Sequence, residues 1–413
     1  MERQECINIL ADVIKINSEN GNEKEVALYY QNLLKKHNIK SELIEYDDKR
    51  ASLVAEISNG CGRNLAISGH MDVVSAGDEN EWTYPPFDAH IDEDEVMWGR
   101  GASDMKPGLS ALVIAFIELN ESKNFKGKLR LMATVGEEVG QLGAKQLTDL
   151  GYLKDIDAVL IAEPCNVGVT YAHKGSLNYK VISKGIQAHS SMPELGQNAV
   201  EHLSEAMHEI TKNISKEASK YKNDVLGQTF NNITVINGGK QVNSIPELAE
   251  FEANARTIPE FDNEKLISLV KETIDKLNKK DGYDLKLEVT SDLSPVETNA
   301  NSELIKTISL VASRHENLLP RHLFKQMNDV LGPKFDYLFK DMEDNFDLDS
   351  ISPIVISGTT DAAQFMNGNK NLDIAVYGPG MPMLNHKVDE RIPLAQYIDF
   401  IEAYVEIFEE YLK

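Results

Sequence analysis

The stretch that decides the fold is NLAISGHMDVV, residues 64–74. It begins as a short apolar run and ends in Gly69, His70 and Asp72. A short apolar run that stops at turn residues is typical of a buried strand. In open α/β sheets, ligand-binding side chains collect beyond the carboxyl ends of such strands. We therefore expect a sheet with a functional edge that includes His70.

The sequence on both sides of this stretch alternates strand and helix patterns. In chain order we predict a helix over 22–37, strands over 41–46, 52–57 and 64–68, a helix from Pro107, a strand over 128–134, a helix near 143–150 and a strand over 157–162. Aspartate and proline ahead of the apolar run 109–119 are typical of a helix start. Strands alternating with helices of this length indicate a layered α/β domain with a largely parallel sheet.

After about residue 175 the order of elements changes. We predict a strand over 177–183, a helix over 197–214, strands over 230–236 and 248–256, a helix over 263–279 and a strand over 284–290. This β-α-β-β-α-β order is that of a ferredoxin-like unit. From about 293 the α/β pattern resumes, with a helix near 302–314, strands over 353–357 and 372–377, and a helix from 394.

The predicted fold is therefore an α/β catalytic domain with a mixed, mainly parallel sheet, interrupted by an α+β insert. The catalytic domain comprises residues 1–174 and 293–413, and the insert comprises residues 175–292. Residues 316–350 fit either a helical excursion or a loop.

Composition limits the classes of partner. The chain has 413 residues and a formal net charge of −24, which disfavours nucleic acid and anionic membranes as partners. Its three cysteines are far apart in sequence, so neither a disulfide framework nor a thiolate zinc site is expected. The first residues are charged, unlike a signal peptide, and the apolar run 109–119 is shorter than a membrane span. We expect a cytoplasmic protein.

Histidine and acidic residues follow several of the predicted strands. In chain order they are His70 and Asp72 after strand 64–68, Asp104 before the Pro107 helix, Glu137 and Glu138 after strand 128–134, Glu163 at the end of strand 157–162, and His386 after strand 372–377. Each feature alone has an ordinary alternative: a structural histidine, a solvated glutamate pair, or an aspartate N-cap. Together they favour one shared metal site.

The charge count supports two divalent ions, because three carboxylates and two neutral imidazoles give −3 against +4, and a bridging hydroxide cancels the remainder. His70, Asp104 and Glu163 would hold the first ion, and Asp104, Glu138 and His386 the second, so that Asp104 is shared. Mixed nitrogen and oxygen ligands suit Zn²⁺ and tolerate Co²⁺ or Mn²⁺. Two ions ~3.5–4 Å apart can activate a shared water and stabilise the oxyanion that forms when a carbonyl is attacked.

Two acidic residues remain for other tasks. Asp72 lies two positions beyond His70, on the same side of an extended strand, and is predicted to accept the imidazole N–H. Glu137 is predicted to be the general base that passes a proton from the attacking water to the leaving amine. These tasks indicate a hydrolase site and not a structural zinc site.

Four motifs carry a family resemblance. They read Gly69-His70-Met71-Asp72-Val73-Val74, Gly99-Arg100-Gly101 through to Gly108, Gly136-Glu137-Glu138, and Ala162-Glu163-Pro164. In this order and spacing the chain resembles the co-catalytic zinc amidohydrolases that include succinyl-diaminopimelate desuccinylase, acetylornithine deacetylase, aminoacylases and glutamate carboxypeptidase. The resemblance covers essentially the whole chain and implies the same ligands, base and orienting carboxylate. It also makes the insert a lid and dimerisation domain.

The resemblance implies three substrate contacts in the insert. His189, in Gln-Ala-His-Ser-Ser, resembles the family's oxyanion-stabilising histidine, which a dimer partner often supplies. Asn243 and Arg256 resemble the pair that holds the substrate carboxylate, a task that suits the planar guanidinium. A helix-entry histidine and a strand-surface arginine are the ordinary alternatives. We expect a homodimer, with a hinge near residues 175 and 292 that closes over the cleft.

One motif departs from the family pattern. Many relatives carry Gly-Thr-x-Asp-Gly/Ala-Arg, whereas residues 358–363 read GTTDAA, with Ala363 in place of the arginine. The surroundings of His173 and Asn243 are most similar to bacterial chains named succinyl-diaminopimelate desuccinylase. We expect hydrolysis of an N-acyl amino acid, N-succinyl-diaminopimelate first. The alternatives are a dipeptidase, an aminopeptidase or an acetylornithine deacetylase, and a non-catalytic metal-binding scaffold is the rival class.

Overall fold

The computed structural model describes residues 1–165, 167–324 and 347–413. The chain folds into two compact units. The first comprises Met1–Tyr171, Thr298–Ile354 and Thr360–Lys413, and the second comprises Ala172–Glu297 and Val355–Thr359. Most of the segment 316–350, which had two interpretations, lies outside the described residues.

The helices have the following bounds: α1 Arg3–Lys15, α2 Glu23–Lys36, α3 Lys106–Ser122, α4 Leu142–Asp149, α5 Ala199–Ala218, α6 Asn263–Leu277, α7 Glu303–Ala312, α8 Ala362–Gly368 and α9 Leu394–Tyr411. The strands are β1 Ser41–Glu45, β2 Ala51–Asn59, β3 Asn64–His70, β4 His90–Ile91, β5 Val96–Trp98, β6 Gly127–Thr134, β7 Ala158–Pro164, β8 Val169–His173, β9 Gly175–Lys184, β10 Ala188–His189, β11 Phe230–Gly238, β12 Ser244–Ile245, β13 Leu248–Thr257, β14 Asp284–Leu293, β15 Val296–Glu297, β16 Pro353–Ile356, β17 Asp373–Gly378 and β18 Arg391–Pro393.

The first unit is built on a mixed sheet with a parallel centre. The strand order β1-β2-β6-β3-β7-β17 continues into β8. Within it, β6, β3, β7 and β17 run parallel, whereas β1 and β2 are antiparallel to their neighbours. Ile67 of β3 lies opposite Leu131 of β6 and Leu160 of β7, and all three are buried in the core. The predicted fold class is confirmed.

Helix α3 packs against the centre of this sheet. Its side chains from Leu109 to Ile117 are all buried, as an apolar run without a polar face requires. Gly108 lies so near β7 that a Cβ atom there would be 2.0 Å from the carbonyl oxygen of Ala162. This glycine therefore sets how closely the helix approaches the strand. Among the described residues, no helix combines the length and the apolar character needed to cross a membrane.

The second unit has the elements β9-α5-β11-β13-α6-β14 and the strand order β11-β13-β9-β14, with antiparallel neighbours throughout. This is the predicted ferredoxin-like order. Helices α5 and α6 bury one apolar face each, with Leu203 and Ile210 on α5 and Val270 and Ile274 on α6. The unit begins at Ala172 and ends at Glu297, with the short piece 355–359 added.

Candidate metal centre

The predicted ligands of the first unit lie at one edge of its sheet. His70 is the last residue of β3, Glu138 follows β6, Glu163 lies near the end of β7, and His386 follows β17. These four strands are parallel neighbours, so their carboxyl ends meet at the same edge. Asp104 reaches this edge from the turn that precedes α3.

Asp104 lies between the two histidines. Its Oδ1 is 3.1 Å from His70 Nε2 and its Oδ2 is 3.5 Å from His386 Nε2. Glu163 Oε1 is 3.6 Å from the same His70 nitrogen, and Glu138 Oε1 is 2.9 Å from His386 Nε2. Within each of the two predicted trios, one ligand atom per residue lies within 4.8 Å of the others. The structure therefore brings together all five side chains, with Asp104 common to both trios.

Asp104 does not cap helix α3, so its interpretation as an N-cap is wrong. The N-cap residue is Met105, and no side chain makes a capping hydrogen bond there. The physical reason is that both carboxylate oxygens of Asp104 face imidazole rings.

Asp72 is fully buried beside His70, and both its main-chain carbonyl and its carboxylate make contacts. Its main-chain carbonyl oxygen lies 2.9 Å from His70 Nδ1, and its carboxylate Oδ1 lies 3.5 Å from the same nitrogen. The two carboxylate oxygens accept the main-chain N–H groups of Glu137 and Glu138, each at 3.1 Å. A donor Nδ1 leaves the lone pair of Nε2 free to bind a metal. Asp72 is thus in contact both with the ring of His70 and with the turn that carries both glutamates.

Glu137 lies next to the predicted ligands. Gln141 Nε2 donates to its Oε1 at 3.3 Å. His70, Glu137 and Glu138 form a third trio within 4.8 Å, so proximity to His70 does not by itself separate the base from the ligand. Glu138 differs from Glu137 because its carboxylate also contacts His386.

Negative charge is concentrated at this edge of the sheet. Burial raises the pKa of Glu137 and of Glu163 well above the usual range. Hydrogen bonds to Asp104 and Glu138 raise the pKa of His386 to about 10. In the described part of the chain, no lysine or arginine forms an ion pair with any of the four carboxylates, which are Asp104, Glu137, Glu138 and Glu163. Buried carboxylates without such partners usually coordinate a metal, so the donor set fits divalent cations.

Two further buried carboxylates support the ligand turns and were missed in the sequence. Glu23 accepts the main-chain N–H of Gly136 at 3.1 Å. Glu390 accepts those of Ser103 and Asp104, each at 2.7 Å. Neither residue belongs to a motif of its own. The available signal for Glu390 was the arginine inside the Gly-Arg-Gly turn, because a buried guanidinium needs a carboxylate partner.

His189 and Asn243 lie close together in the second unit. β10 pairs with β12, which puts His189 opposite Ser244, and the N–H of Ser190 donates to the carbonyl oxygen of Asn243 at 3.1 Å. The N–H of Ser191 donates to His189 Nδ1 at 3.2 Å. The neutral ring therefore carries its proton on Nε2, and this exposed side chain is a ready N–H donor.

Arg256 lies on β13, opposite Ser176 of β9 and Phe230 of β11. Burial of this half-buried side chain lowers the pKa of its guanidinium. No carboxylate within the described ranges pairs with it, so its charge is available for an anion. Ala363, in place of the family's arginine, is fully buried in α8 and offers no such charge.

Histidines and carboxylates gathered beyond parallel strands, in a chain that also carries an inserted α+β unit, indicate a metal-dependent hydrolase. Residues 66–326 match the peptidase family M20/M25/M40. The chain belongs to this family.

Relatives and solved structures agree with this assignment. A probable succinyl-diaminopimelate desuccinylase from Staphylococcus aureus strain MRSA252 is 39% identical over 438 aligned positions, which cover 99% of this chain and 98% of the relative. A succinyl-diaminopimelate desuccinylase from Hydrogenovibrio crunogenus is 28% identical and covers 63% of this chain and 69% of its own.

Two crystal structures share the fold over the whole chain. An M20 family metallo-carboxypeptidase from Sulfolobus solfataricus has a TM-score of 0.76 and is 19% identical. The alignment covers 100% of this chain and 99% of that structure. The aminopeptidase PepT from Bacillus cereus has a TM-score of 0.71, 19% identity and full coverage of both chains. At such identities the likeness establishes the fold, and the enzyme class follows from the family.

Proposed function

We propose that this enzyme hydrolyses the amide bond of an N-acyl amino acid, with N-succinyl-diaminopimelate as the first candidate substrate. The observation that carries the proposal is the pair of ligand trios that share Asp104, with Glu137 beside them. Relatives named probable succinyl-diaminopimelate desuccinylase, 39% identical over 99% of the chain, support this choice of substrate.

Two divalent ions fit the ligand trios, Zn²⁺ first, with Co²⁺ and Mn²⁺ as alternatives. His70 and Glu163 would hold one ion, His386 and Glu138 the other, and Asp104 both. When bound, the ions supply an activated water and stabilise negative charge on the carbonyl oxygen. The nitrogen–oxygen distances of 2.9–3.6 Å in the trios support this assignment.

Glu137 acts as the general base in this proposal. It takes a proton from the attacking water and returns it to the amine that leaves. The hydrogen bond from Gln141 holds one carboxylate oxygen of Glu137, and Asp72 holds its main chain. These contacts orient the base without a positive charge that would neutralise it.

Three residues of the second unit bind the substrate in this proposal. The Nε2–H of His189 donates to the oxygen of the carbonyl as negative charge develops there. Arg256 and Asn243 hold the free carboxylate, since a planar guanidinium grips a carboxylate through two parallel hydrogen bonds. The exposed ring of His189 supports its role, and the guanidinium of Arg256, which pairs with no carboxylate among the described residues, supports the role of the arginine.

A substrate panel tests the proposal. The metal-free enzyme is reconstituted with Zn²⁺, Co²⁺ or Mn²⁺, and kcat/KM is measured for N-succinyl-diaminopimelate, N-acetylornithine and a set of dipeptides. We expect the succinyl substrate to give the highest value. A higher kcat/KM for acetylornithine or for dipeptides would show that succinyl-diaminopimelate is the wrong substrate. If the enzyme hydrolyses none of these amides, the proposed function is overturned.

A peptidase is the second candidate, because two structures of the same fold are a carboxypeptidase and an aminopeptidase. An aminopeptidase recognises a free amine and so depends less on Arg256. Arg256→Met should therefore raise KM for an N-acyl amino acid much more than KM for a dipeptide amide. If KM rises equally for both substrates, Arg256 does not determine whether the enzyme prefers an N-acyl amino acid or a dipeptide.

We also propose a cytoplasmic homodimer. Cys6, Cys61 and Cys165 are all free thiols, which fits a reducing compartment. His189 belongs to the second unit, and its counterpart in the family often comes from the partner subunit. The expected binding partners are small molecules, N-acyl amino acids or short peptides. We expect the protein to bind neither nucleic acid nor a membrane.

A further inference from the structure

Glu390 is a fully buried carboxylate four residues after His386. Its Oε1 accepts the main-chain N–H groups of Ser103 and Asp104, both at 2.7 Å, and its Oε2 accepts Arg100 Nη1 at 2.7 Å. All three partners are donors, so a group that only accepts hydrogen bonds satisfies them best. Glu390 therefore holds the main chain of Asp104 directly.

Arg100 extends this network to the loop that follows β17. Its Nη1 also donates to the carbonyl oxygen of Lys387 at 3.1 Å. The main-chain N–H of Gly99 donates to the carbonyl oxygen of Glu390 at 2.9 Å. Side chains and main chain thus join the turn before α3 to this loop at several points.

The backbone of the loop depends on such contacts. His386 has a φ of +64° and Asp389 a φ of +59°, in the left-handed region that residues other than glycine rarely adopt. Such a conformation persists where surrounding contacts hold it. The side chain of His386 is 52% exposed, so packing around the ring fixes its position only in part.

We propose that Glu390, together with Arg100, is a positioning residue that sets the spacing between Asp104 and His386. Through this spacing it controls the affinity of the ion held by Asp104, Glu138 and His386. The inference rests on the proposed metal pair and adds a residue that touches neither ion nor substrate. Because Asp104 is shared, the other ion depends on Glu390 to a smaller degree.

The test compares Zn²⁺ binding by the metal-free wild type and by Glu390→Gln, measured by competition with a chromophoric chelator. Glutamine keeps the shape of the side chain but brings two N–H donors to a place where three donors already converge. We expect the Zn²⁺ affinity of the trio Asp104, Glu138 and His386, and so one of the two measured affinities, to fall about 10–100-fold, the usual loss when a group that orients a ligand is removed. The other affinity should fall less.

A second measurement separates positioning from general stability. Saturating Zn²⁺ raises the Tm by an amount that depends on its affinity for the folded state. A positioning role reduces this rise in Glu390→Gln. A merely structural role lowers the Tm of the metal-free and Zn²⁺-bound forms equally and leaves both affinities unchanged, which would overturn the inference.

Glu56→Gln is the matched control. Glu56 accepts Arg130 Nε at 3.0 Å across β2 and β6, so this variant also breaks a carboxylate–guanidinium pair of the first unit. Both Zn²⁺ affinities should stay at their wild-type values. An equal loss in Glu56→Gln would overturn the inference, because the effect would then follow from losing any such pair.

Arg100→Lys decides the question if Glu390→Gln does not fold, as judged by far-UV circular dichroism. Lysine keeps the charge beside Glu390 but loses the fork that also reaches the loop carbonyl, so the same one of the two affinities should again fall. Unchanged affinities in whichever variant folds would overturn the inference. A wild type that binds fewer than two Zn²⁺ would instead overturn the proposed metal pair.

Discussion

The two carboxylate oxygens of Asp104 face different histidines, Oδ1 toward His70 and Oδ2 toward His386. This makes the trios interdependent, whereas Glu163 serves one trio only. We therefore expect Asp104→Asn to weaken both Zn²⁺ affinities by more than about 100-fold, beyond the usual loss for an orienting group. Glu163→Gln should weaken one affinity only. Metal analysis after dialysis checks this, and two retained ions in Asp104→Asn would contradict it.

Glu137 gives a prediction about catalysis without metal loss. Glu137→Gln keeps the size of the side chain but removes the proton acceptor, so kcat should fall by about 10²–10⁴, the usual contribution of a positioned base. Metal content should stay at two ions per chain. Turnover within a few-fold of wild type would show that another group accepts the proton.

His173 gives a prediction about pH and stability. Its ring is fully buried in β8, and burial lowers its pKa to about 4. An unfolded histidine has a pKa of about 6.5, so below that pH the unfolded state binds more protons than the folded state. Between pH 7 and pH 4.5 this one group should cost about 2 kcal/mol of the free energy of unfolding.

Asn is the matched replacement for His173, because its amide N–H can donate to the carbonyl oxygen of Lys174, which lies 2.9 Å from Nδ1 of the histidine. Urea unfolding at both pH values should show a smaller loss of stability on acidification in His173→Asn than in the wild type. Equal losses in the two proteins would contradict the low pKa of His173. The carboxylates titrate in both proteins, so their effect cancels in the comparison.

Among the elements, those with clear periodicity were predictable. Strands β3 and β7 contain short apolar runs at 65–67 and 158–162, and strand β6 begins by alternating apolar residues with Lys128 and Arg130. Helices α5 and α6 have one apolar face each, so the types and the order of these elements followed from the sequence. Helix α1 and the small sheet β18-β5-β4 were missed. The strands of that sheet have only two or three residues, too few to display any period.

The ligand cluster was predictable for a related reason. Because the carboxyl ends of parallel strands lie at the same edge of a sheet, the histidines and carboxylates that follow these strands were expected to lie close together. Glu23 and Glu390 were not predicted, because neither belongs to a motif and the sequence does not show which carboxylate binds a given main-chain N–H group. Arg100 indicated that a buried carboxylate partner exists, but not that Glu390 is that partner. The contact of the Asp72 carbonyl oxygen, which approaches His70 more closely than the carboxylate does, was not predicted either.

The packing of α3 on β7 gives a prediction at the scale of elements. In Gly108→Ala the added Cβ would lie 2.0 Å from the carbonyl oxygen of Ala162, so the helix must move away from the sheet. We expect a loss of about 1–3 kcal/mol in the free energy of unfolding, although alanine favours helices by about 1 kcal/mol over glycine.

Asn120→Ala, on the same helix, is the control for Gly108→Ala. It changes helix propensity at a partly exposed position without adding an atom to the interface with the sheet. Its unfolding free energy in urea should stay within about 0.5 kcal/mol of wild type. A Gly108→Ala protein as stable as this control would show that the contact with β7 tolerates a methyl group.

For the whole molecule, a homodimer with shared sites predicts complementation. His189→Ala and Glu137→Ala should each be inactive as pure dimers. In a mixed dimer, one site combines the intact Glu137 of one subunit with the intact His189 of the other and recovers. About a quarter of wild-type activity is expected when the subunits exchange at random, as for two-site dimers in general. No recovery after verified subunit exchange would favour sites complete within one chain.

The position of β17 also matters while the chain is being synthesised. This strand pairs with β7 on one side and β8 on the other, although the contiguous residues 172–297 of the second unit precede it. On the ribosome those residues emerge together and can fold while the middle of the larger sheet still lacks a strand. Until β17 arrives, the nascent chain exposes two open strand edges, which invite aggregation. His386 emerges later still, so loading with a full complement of metal must wait for the end of translation.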